Sequence, residues 1–295
     1  MAGSGSHTEL HPPQRRRFGP RRLAAFGALV IIGGIAVAAP VYAFVSTSSH
    51  DVMVHKFARG STTATCPKGE HVAFGGVVAQ YQPAGPGPKY VLPTGMRRTA
   101  DDRLTAYGFN NSRATEGHLT AVAHCDRGNV PTAVEKSQLL PGGEGGSVVA
   151  TCPAGTVVVG GGFDTYGGPR QINLVDRLER VSARQWLASA NSITPNPTNL
   201  TAIAYCAPGA APMVYSVTVK VPGHTGGTAR VSCPSGTSLA FGGIEAAKTG
   251  LPYDAAHTAQ VEAFSWTAAS TSQWVVRAFN VGSRTGNLVA LAYCR

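Results

Sequence analysis

A motif that occurs three times constrains this chain more than any other feature. Each copy begins with Cys-Pro-x-Gly and reaches a Gly-Gly pair nine residues after its cysteine. Each copy also closes on an apolar segment that ends in a second cysteine, with an asparagine 14 or 15 residues before it. The opening cysteines are Cys66, Cys152 and Cys233, the closing ones are Cys125, Cys206 and Cys294, and the asparagines are Asn110, Asn191 and Asn280. One repeated plan therefore accounts for all six cysteines.

The spacing of these landmarks divides most of the chain into three β units, which span 52–126, 133–207 and 213–295. In the third unit, Tyr215, Val217, Val219 and Val221 alternate with polar residues, which is typical of a strand with one buried face. Gly and Pro together make 56 of the 295 residues, which favours many turns between short strands. No amphipathic helix pattern follows residue 45, so the sequence predicts an all-β body.

The N-terminal region predicts export. Residues 1–22 form a basic segment that we expect to stay cytoplasmic, and residues 23–45 form an apolar helix without charge. The small residues up to Ala43 fit a signal peptide that is cleaved after Ala43. The full run is also long enough to remain as a signal anchor, in which case residues 23–45 would bind the membrane. Both alternatives place the body outside the cytoplasm.

An exported chain with an even number of patterned cysteines predicts disulfide bonds. The repeat leaves two arrangements open. In the first arrangement, each opening cysteine pairs with the closing cysteine of its own unit. In the second, it pairs with the closing cysteine of a neighbouring unit, and the first and third units are then also joined to each other. A bridge within a unit of some 80 residues would support a core that is marginal by itself.

The formal net charge of +10 does not predict a nucleic-acid partner. Five of the basic residues lie in the first 22, and from Phe44 onwards 20 basic residues face 14 acidic ones. These charges are scattered and form no basic stripe with interleaved aromatic residues, which nucleic-acid binding would require. We therefore expect no nucleic acid among the partners, and the sequence leaves the oligomeric state open.

The residues that could carry catalysis do not recur with the repeat. Five histidines fall at unmatched positions, and with all cysteines assigned to bridges no zinc site or other cofactor is expected. A hydrolase would need paired carboxylates or a nucleophile with a base. Two groups remain as an alternative: Asp101 and Asp102 with His118, and Asp176 with Glu179. We nonetheless expect that the protein is not an enzyme.

Aromatic residues supply the candidate ligand-binding side chains. Trp186 and Trp274 open equivalent strands, and Tyr81 and Tyr90 flank a Gly/Pro-rich insertion at 83–88. Rings of this kind stack on sugars when they are exposed, although at strand positions they more often belong to the core. A loop on a rigid β scaffold is also a common place for binding.

The combination of Cys-Pro-x-Gly, Gly-Gly and a closing Ala-x-Ala-Tyr-Cys resembles a repeat found in exported bacterial proteins of unassigned function. More remotely, it is similar to the repeats of vitelline membrane outer layer protein I. That second resemblance implies a pseudo-threefold β-prism, although this chain has longer units and places its glycines one step later. The alternative fold is three small β-sandwiches in a row. The function we expect is a structural or binding module of the cell envelope or secretome, with glycans as candidate ligands.

Overall fold

The computed structural model describes residues 46–82, 89–165, 173–246 and 259–295, which form nineteen strands and no helix. The predicted all-β body is therefore confirmed. The apolar segment 23–45, the cleavage position at Ala43 and the insertion 83–88 lie outside the described residues. These described ranges contain no apolar helix of membrane-spanning length.

A pattern of six strands runs three times along the chain. In the first unit the strands are β1 (Ser46–Val54), β2 (Arg59–Thr65), β3 (His71–Ala79), β5 (Lys89–Ala100), β6 (Arg103–Asn110) and β7 (Gly117–Asp126), with a short extra strand β4 (Tyr81–Gln82). In the second they are β8 (Thr132–Leu140), β9 (Gly145–Thr151), β10 (Val157–Asp164), β11 (Asn173–Ser182), β12 (Gln185–Ser192) and β13 (Thr198–Ala207). In the third they are β14 (Met213–Val221), β15 (Gly226–Ser232), β16 (Leu239–Ala246), β17 (Val261–Ser270), β18 (Gln273–Asn280) and β19 (Gly286–Cys294).

These strands form three sheets, and each sheet takes three main strands from each of two units. Sheet I has the order β1-β7-β3-β17-β18-β15, sheet II has β2-β6-β5-β10-β13-β8 with β4 paired to β5, and sheet III has β14-β19-β16-β11-β12-β9. Every unit therefore contributes to two sheets. This sharing does not agree with three β-sandwiches in a row, because such sandwiches would each keep their strands within one unit.

Two units meet in the middle of each sheet along a line that we call a seam. The seams are β3–β17, β10–β5 and β16–β11, and each has only two paired positions on either strand. The second glycine of each Gly-Gly pair lies here. A Cβ on Gly162 would come within 2.5 Å of the Met96 carbonyl oxygen, and Gly76 and Gly243 have matching contacts. The Gly-Gly pairs therefore allow the close backbone approach between units.

The first glycine of each pair makes room for a large side chain of the same unit. Trp186 of β12 covers Gly161, where an added Cβ would lie 2.0 Å from the indole, and Trp274 of β18 covers Gly242 in the same way. In the first unit Leu104 covers Gly75. Both indoles also donate a hydrogen bond across to the second glycine's carbonyl oxygen, at 3.1 Å for Gly162 and 3.0 Å for Gly243.

Three disulfides join neighbouring sheets at one end of the body, which we call the disulfide end. They are Cys66–Cys125, Cys152–Cys206 and Cys233–Cys294, so each bridge closes within its own unit. In each Cys-Pro-x-Gly motif the glycine has a positive φ of 81° to 83°. The amide that follows it bonds back to the proline carbonyl. The motif thus ends a strand and reverses the chain in a tight turn, a conformation that favours glycine.

All three sheets share one core. The largest buried side chains of that core include Trp186 of sheet III, Phe163 of sheet II, and Trp266 and Trp274 of sheet I. All described residues belong to one compact unit.

Two details differ from the expectations. Strand β1 of the first unit already includes Ser46, which lies ahead of the predicted start at residue 52 and pairs with Cys125. The asparagine landmark holds in two units only. Asn110 and Asn280 each bond the backbone at the end of the leading hairpin strand, through Val54 and Val221, whereas the equivalent position in the second unit is Ser192. Asn191 lies one residue earlier and bonds Asp176 instead.

Candidate functional site

A cleft of about 300 Å³ lies at the end opposite the disulfides, which we call the open end. All three units contribute to its wall. The lining residues are Tyr81, Tyr90, Leu92, Asn111, Leu174, Ile193, Gln260, Glu262 and Val281. Two of the four aromatic candidates from the sequence, Tyr81 and Tyr90, therefore come together here.

At one set of equivalent positions in the cleft, the third unit has a carboxylate where the other two units have leucine. Leu92, Leu174 and Glu262 occupy the same place in β5, β11 and β17, each two residues before a β-bulge. They are about equally buried, at 5%, 6% and 9% exposure. The fold thus accepts leucine at this position twice. A carboxylate is unfavourable in such a place, so its presence needs an explanation beyond packing.

An aromatic cluster packs beside Glu262. The Tyr81 ring stacks on Phe264 with centroids 5.1 Å apart, lies 5.4 Å from Phe279, and meets Tyr90 edge to face at 5.3 Å. Burial, with smaller effects from Glu262 and Tyr90, raises the pKa of Tyr81 well above its usual range. Tyr81 therefore keeps its proton and stays a hydrogen-bond donor at any physiological pH.

Gln260 donates a hydrogen bond to the Glu262 carboxylate and is itself held by Asn280. The Gln260 side-chain amide donates to Glu262 Oε1 at 2.9 Å, and the Gln260 backbone N–H donates to Asn280 Oδ1 at 3.1 Å. Asn280 is itself fully buried. The cleft therefore combines aromatic surface with a fixed carboxylate and amides, which suits a ligand with both apolar faces and hydroxyl groups.

The structure places the two tryptophan candidates elsewhere. Trp186 and Trp274 are each 1% exposed, and their indoles cover Gly161 and Gly242 in the core. They offer no face to a ligand. Their role is to fill the space beneath the glycine pairs.

The first hydrolase group is not assembled. Asp101 and Asp102 form the turn between β5 and β6 at the disulfide end, where the Asp102 carbonyl accepts from the Cys66 N–H at 2.8 Å. His118 lies on β7 seven residues before Cys125, which places it about 23 Å away along the strand. There it bonds Asp51 at 2.7 Å. The histidine and the aspartates are therefore too far apart to share a reaction.

The second hydrolase group makes local contacts. Asp176 accepts a hydrogen bond from Asn191 at 2.7 Å, and Glu179 forms an ion pair with Arg177. Neither residue lines the cleft. Across the described ranges, no group of three or more His, Cys, Asp or Glu side chains is arranged to hold a metal ion.

A second cavity lies at the disulfide end and has a volume of only about 30 Å³. Ala73, Val159 and Ala240 line it from the three units, together with His71, Asp126 and Arg295 among others. That volume accommodates a water molecule rather than an organic ligand.

No protein-family model matches the chain, and no curated protein is significantly similar to it. The assignment of the cleft therefore depends on geometry. Sequence reasoning proposed Tyr81 and Tyr90 but missed Glu262, Gln260 and Asn111. The sequence does contain a signal for Glu262. When the three units are aligned at Met96, Leu178 and Trp266, the residues four positions earlier are Leu92, Leu174 and Glu262.

Proposed function

We propose that this protein is an exported, non-enzymatic binding module of the bacterial cell envelope, and that the cleft at the open end binds a glycan. The apolar segment 23–45 would direct export, with cleavage after Ala43 or retention as an anchor. N-terminal sequencing of the exported protein distinguishes the two, because cleavage gives a chain that begins at Phe44. Three disulfides support an oxidising compartment for the body.

The proposed architecture is a pseudo-threefold β-prism. Its support is that each sheet joins the strands of two units through a seam of the same kind, and that the three bridges lie at equivalent places. The three-sided symmetry then brings equivalent positions of the units together at the open end. The resemblance to the repeats of vitelline membrane outer layer protein I agrees with this proposal.

Glu262 in the place of leucine is the observation that carries the proposed site. A carboxylate accepts hydrogen bonds from two neighbouring sugar hydroxyls, and such charge-assisted bonds are stronger than neutral ones. Tyr81 and Tyr90 supply the aromatic surface that packs against the C–H face of a sugar ring. The volume of about 300 Å³ fits one or two sugar residues of a longer chain.

Binding to a glycan array and to solubilised cell-wall fragments, followed by calorimetry on the best ligand, tests the proposal. The diagnostic variant is Glu262→Leu, since leucine occupies the same position in the other two units. We expect it to fold with unchanged or greater stability and to bind at least tenfold more weakly. Tyr90→Ala should weaken binding similarly.

Glu245→Leu is the matched control, because it removes one carboxylate from β16 outside the cleft. It should bind like the wild type. Absence of binding to every glycan would overturn the glycan assignment. Binding that Glu262→Leu and Tyr90→Ala both leave unchanged would place the site elsewhere on the molecule.

A further inference from the structure

Strand β14 presents an unusual apolar surface at the edge of sheet III. Among the strands of the described residues, it pairs with β19 on one side and has no partner on the other. Met213 is 66% exposed, Val214 is 52% exposed and Val217 is 37% exposed. An exposed edge strand with apolar side chains is a template for pairing with another strand, and proteins usually place charges there to prevent it.

The other two units show that the fold does not require this surface. Strands β1 and β8 occupy the equivalent edges of sheets I and II, with Ser46 and Thr132 in the place of Met213. The position of Val217 is His50 in β1 and Lys136 in β8, and β8 also has Gln138 where β14 has Val219. Successive side chains of a strand point to opposite faces, so alternate residues share one face. Only the third unit has apolar residues at all of the alternate positions on one face of this strand, namely Met213, Tyr215, Val217, Val219 and Val221.

We propose that β14 pairs antiparallel with β14 of a second copy of this chain, which makes a symmetric dimer through sheet III. The charge pattern favours a second copy over a charged partner. Lys220 is the only charged residue of β14, so the strand offers no pattern by which an acidic or basic segment would be recognised.

Self-pairing centred on Val217 creates no repulsion between like charges. Lys220 then lies opposite Val214 of the second copy, and the two lysines lie about 20 Å apart along the strands, where salt screens their repulsion. The two apolar strips meet each other in the isologous arrangement of a twofold interface. The six strands of sheet III continue into six more across the interface. The paired strand contributes no residue to the cleft, so ligand binding and dimerisation are separate properties.

Sedimentation velocity on the exported protein tests the dimer, with detergent present if the full chain stays in the membrane fraction. We expect a dimer for the wild type and at least a tenfold weaker association for Val217→Lys. That variant should fold normally, because Lys136 occupies the same place in the second unit. Leu139→Lys is the matched control, since Leu139 is exposed at 61% on the edge strand β8. It should remain dimeric.

Hydrogen–deuterium exchange provides the second readout. The backbone amides of Met213–Val221 should become better protected as protein concentration rises, whereas those of Ser46–Val54 should not change. A wild type that is monomeric at tens of micromolar, or a Val217→Lys variant that dimerises as well as the wild type, would overturn the proposal.

Discussion

At the scale of single residues, His124 departs most clearly from the repeated plan. It occupies the position of Tyr205 and Tyr293, is 1% exposed, and stacks on Phe74 with centroids 4.4 Å apart. Its ring nitrogens share hydrogen bonds with the hydroxyls of Thr47 at 3.2 Å and Thr267 at 3.3 Å. Burial lowers the pKa of His124 to about 3. The folded protein therefore holds this imidazole neutral.

This histidine should make folding stability depend on pH. In the unfolded chain its pKa returns to about 6.5, so between pH 6.5 and about 3 the unfolded state binds the extra proton. The contribution of His124 to stability is complete above pH 6.5 and is lost as the pH falls toward 3. We expect the free energy of unfolding to decrease by up to about 1.4 kcal/mol per pH unit, and His124→Phe should remove this decrease. Urea unfolding at pH 7.5 and pH 5 measures it.

Burial also lowers the pKa of His71, which lines the small cavity at the disulfide end, and this adds pH dependence of the same sign. Because His71 is present in both proteins, the difference between wild type and His124→Phe isolates His124. Equal pH dependence in the two proteins would contradict the prediction.

At the scale of elements, the seams are joined in two different ways. In two of them a closing tyrosine accepts a hydrogen bond from the backbone N–H of an arginine on the neighbouring unit, at 2.6 Å between Tyr205 and Arg98 and 2.8 Å between Tyr293 and Arg180. Each arginine also lies over its tyrosine ring, at 5.0 Å and 4.9 Å. The seam between the first and third units instead has His124 with Thr267.

Removing one tyrosine hydroxyl should weaken its seam. Tyr293→Phe leaves the partly buried Arg180 N–H without its acceptor, which costs about 1 to 3 kcal/mol. Tyr205→Phe should have a similar effect through Arg98. Burial raises the pKa of Tyr293 to about 12, so the effect should not change between pH 6 and 9. Urea unfolding measures the loss.

Tyr107→Phe is the comparison, because Tyr107 is a half-buried tyrosine of β6 that does not close a unit. It should change stability by less than the two seam variants. If all three variants were equally stable, the hydrogen bonds across the seams would contribute nothing measurable.

At the scale of the whole molecule, the bridges hold neighbouring sheets together. Each closes a loop of similar length, with sequence separations of 59, 54 and 61 residues. In the chain-entropy model, removing any one of them costs about 4 kcal/mol. We expect Cys152→Ala with Cys206→Ala to unfold at a clearly lower denaturant concentration than the wild type, and the other two pairs to behave alike.

Thiol titration of the denatured, unreduced protein provides the control, since the wild type should show no reactive thiol. A loss below about 1 kcal/mol for every pair would mean that the sheets associate equally well without the bridges.

The strands, the all-β body and the presence of disulfides followed from the sequence, because they depend on alternation and local spacing. The choice between the two disulfide arrangements came from the structure, in which each bridge closes within its own unit. The distribution of each unit over two sheets did not follow from the sequence either, since alternation says which face of a strand is buried and not which strand lies beside it. In the structure, the close approach of Gly162 on β10 to Met96 on β5 shows that these two strands of different units are neighbours. For the same reason, the sequence could not show that Trp186 lies in the core against Gly161 and is therefore not a surface on which a sugar could stack.

The cleft was predictable in part. Tyr81 and Tyr90 stood out by residue type, but Glu262 is ordinary until it is compared with Leu92 and Leu174. That comparison requires the strands to be aligned across their bulges, which shift the register of β5, β11 and β17. Three copies of one unit thus supply an internal control that most single chains lack.

The five-residue connections between units have a consequence for where the chain can begin. Residues 127–131 lead from β7 of sheet I to β8 of sheet II, and residues 208–212 lead from β13 of sheet II to β14 of sheet III. β19 of sheet III and β1 of sheet I are related in the same way as the strands that these two connections join, but no covalent connection links them. A linker of about five residues from Arg295 to Ser46, with the chain opened at 127–131 or 208–212, would give a circular permutant with all three seams and bridges. In that permutant the His124 seam joins units that are consecutive in the chain.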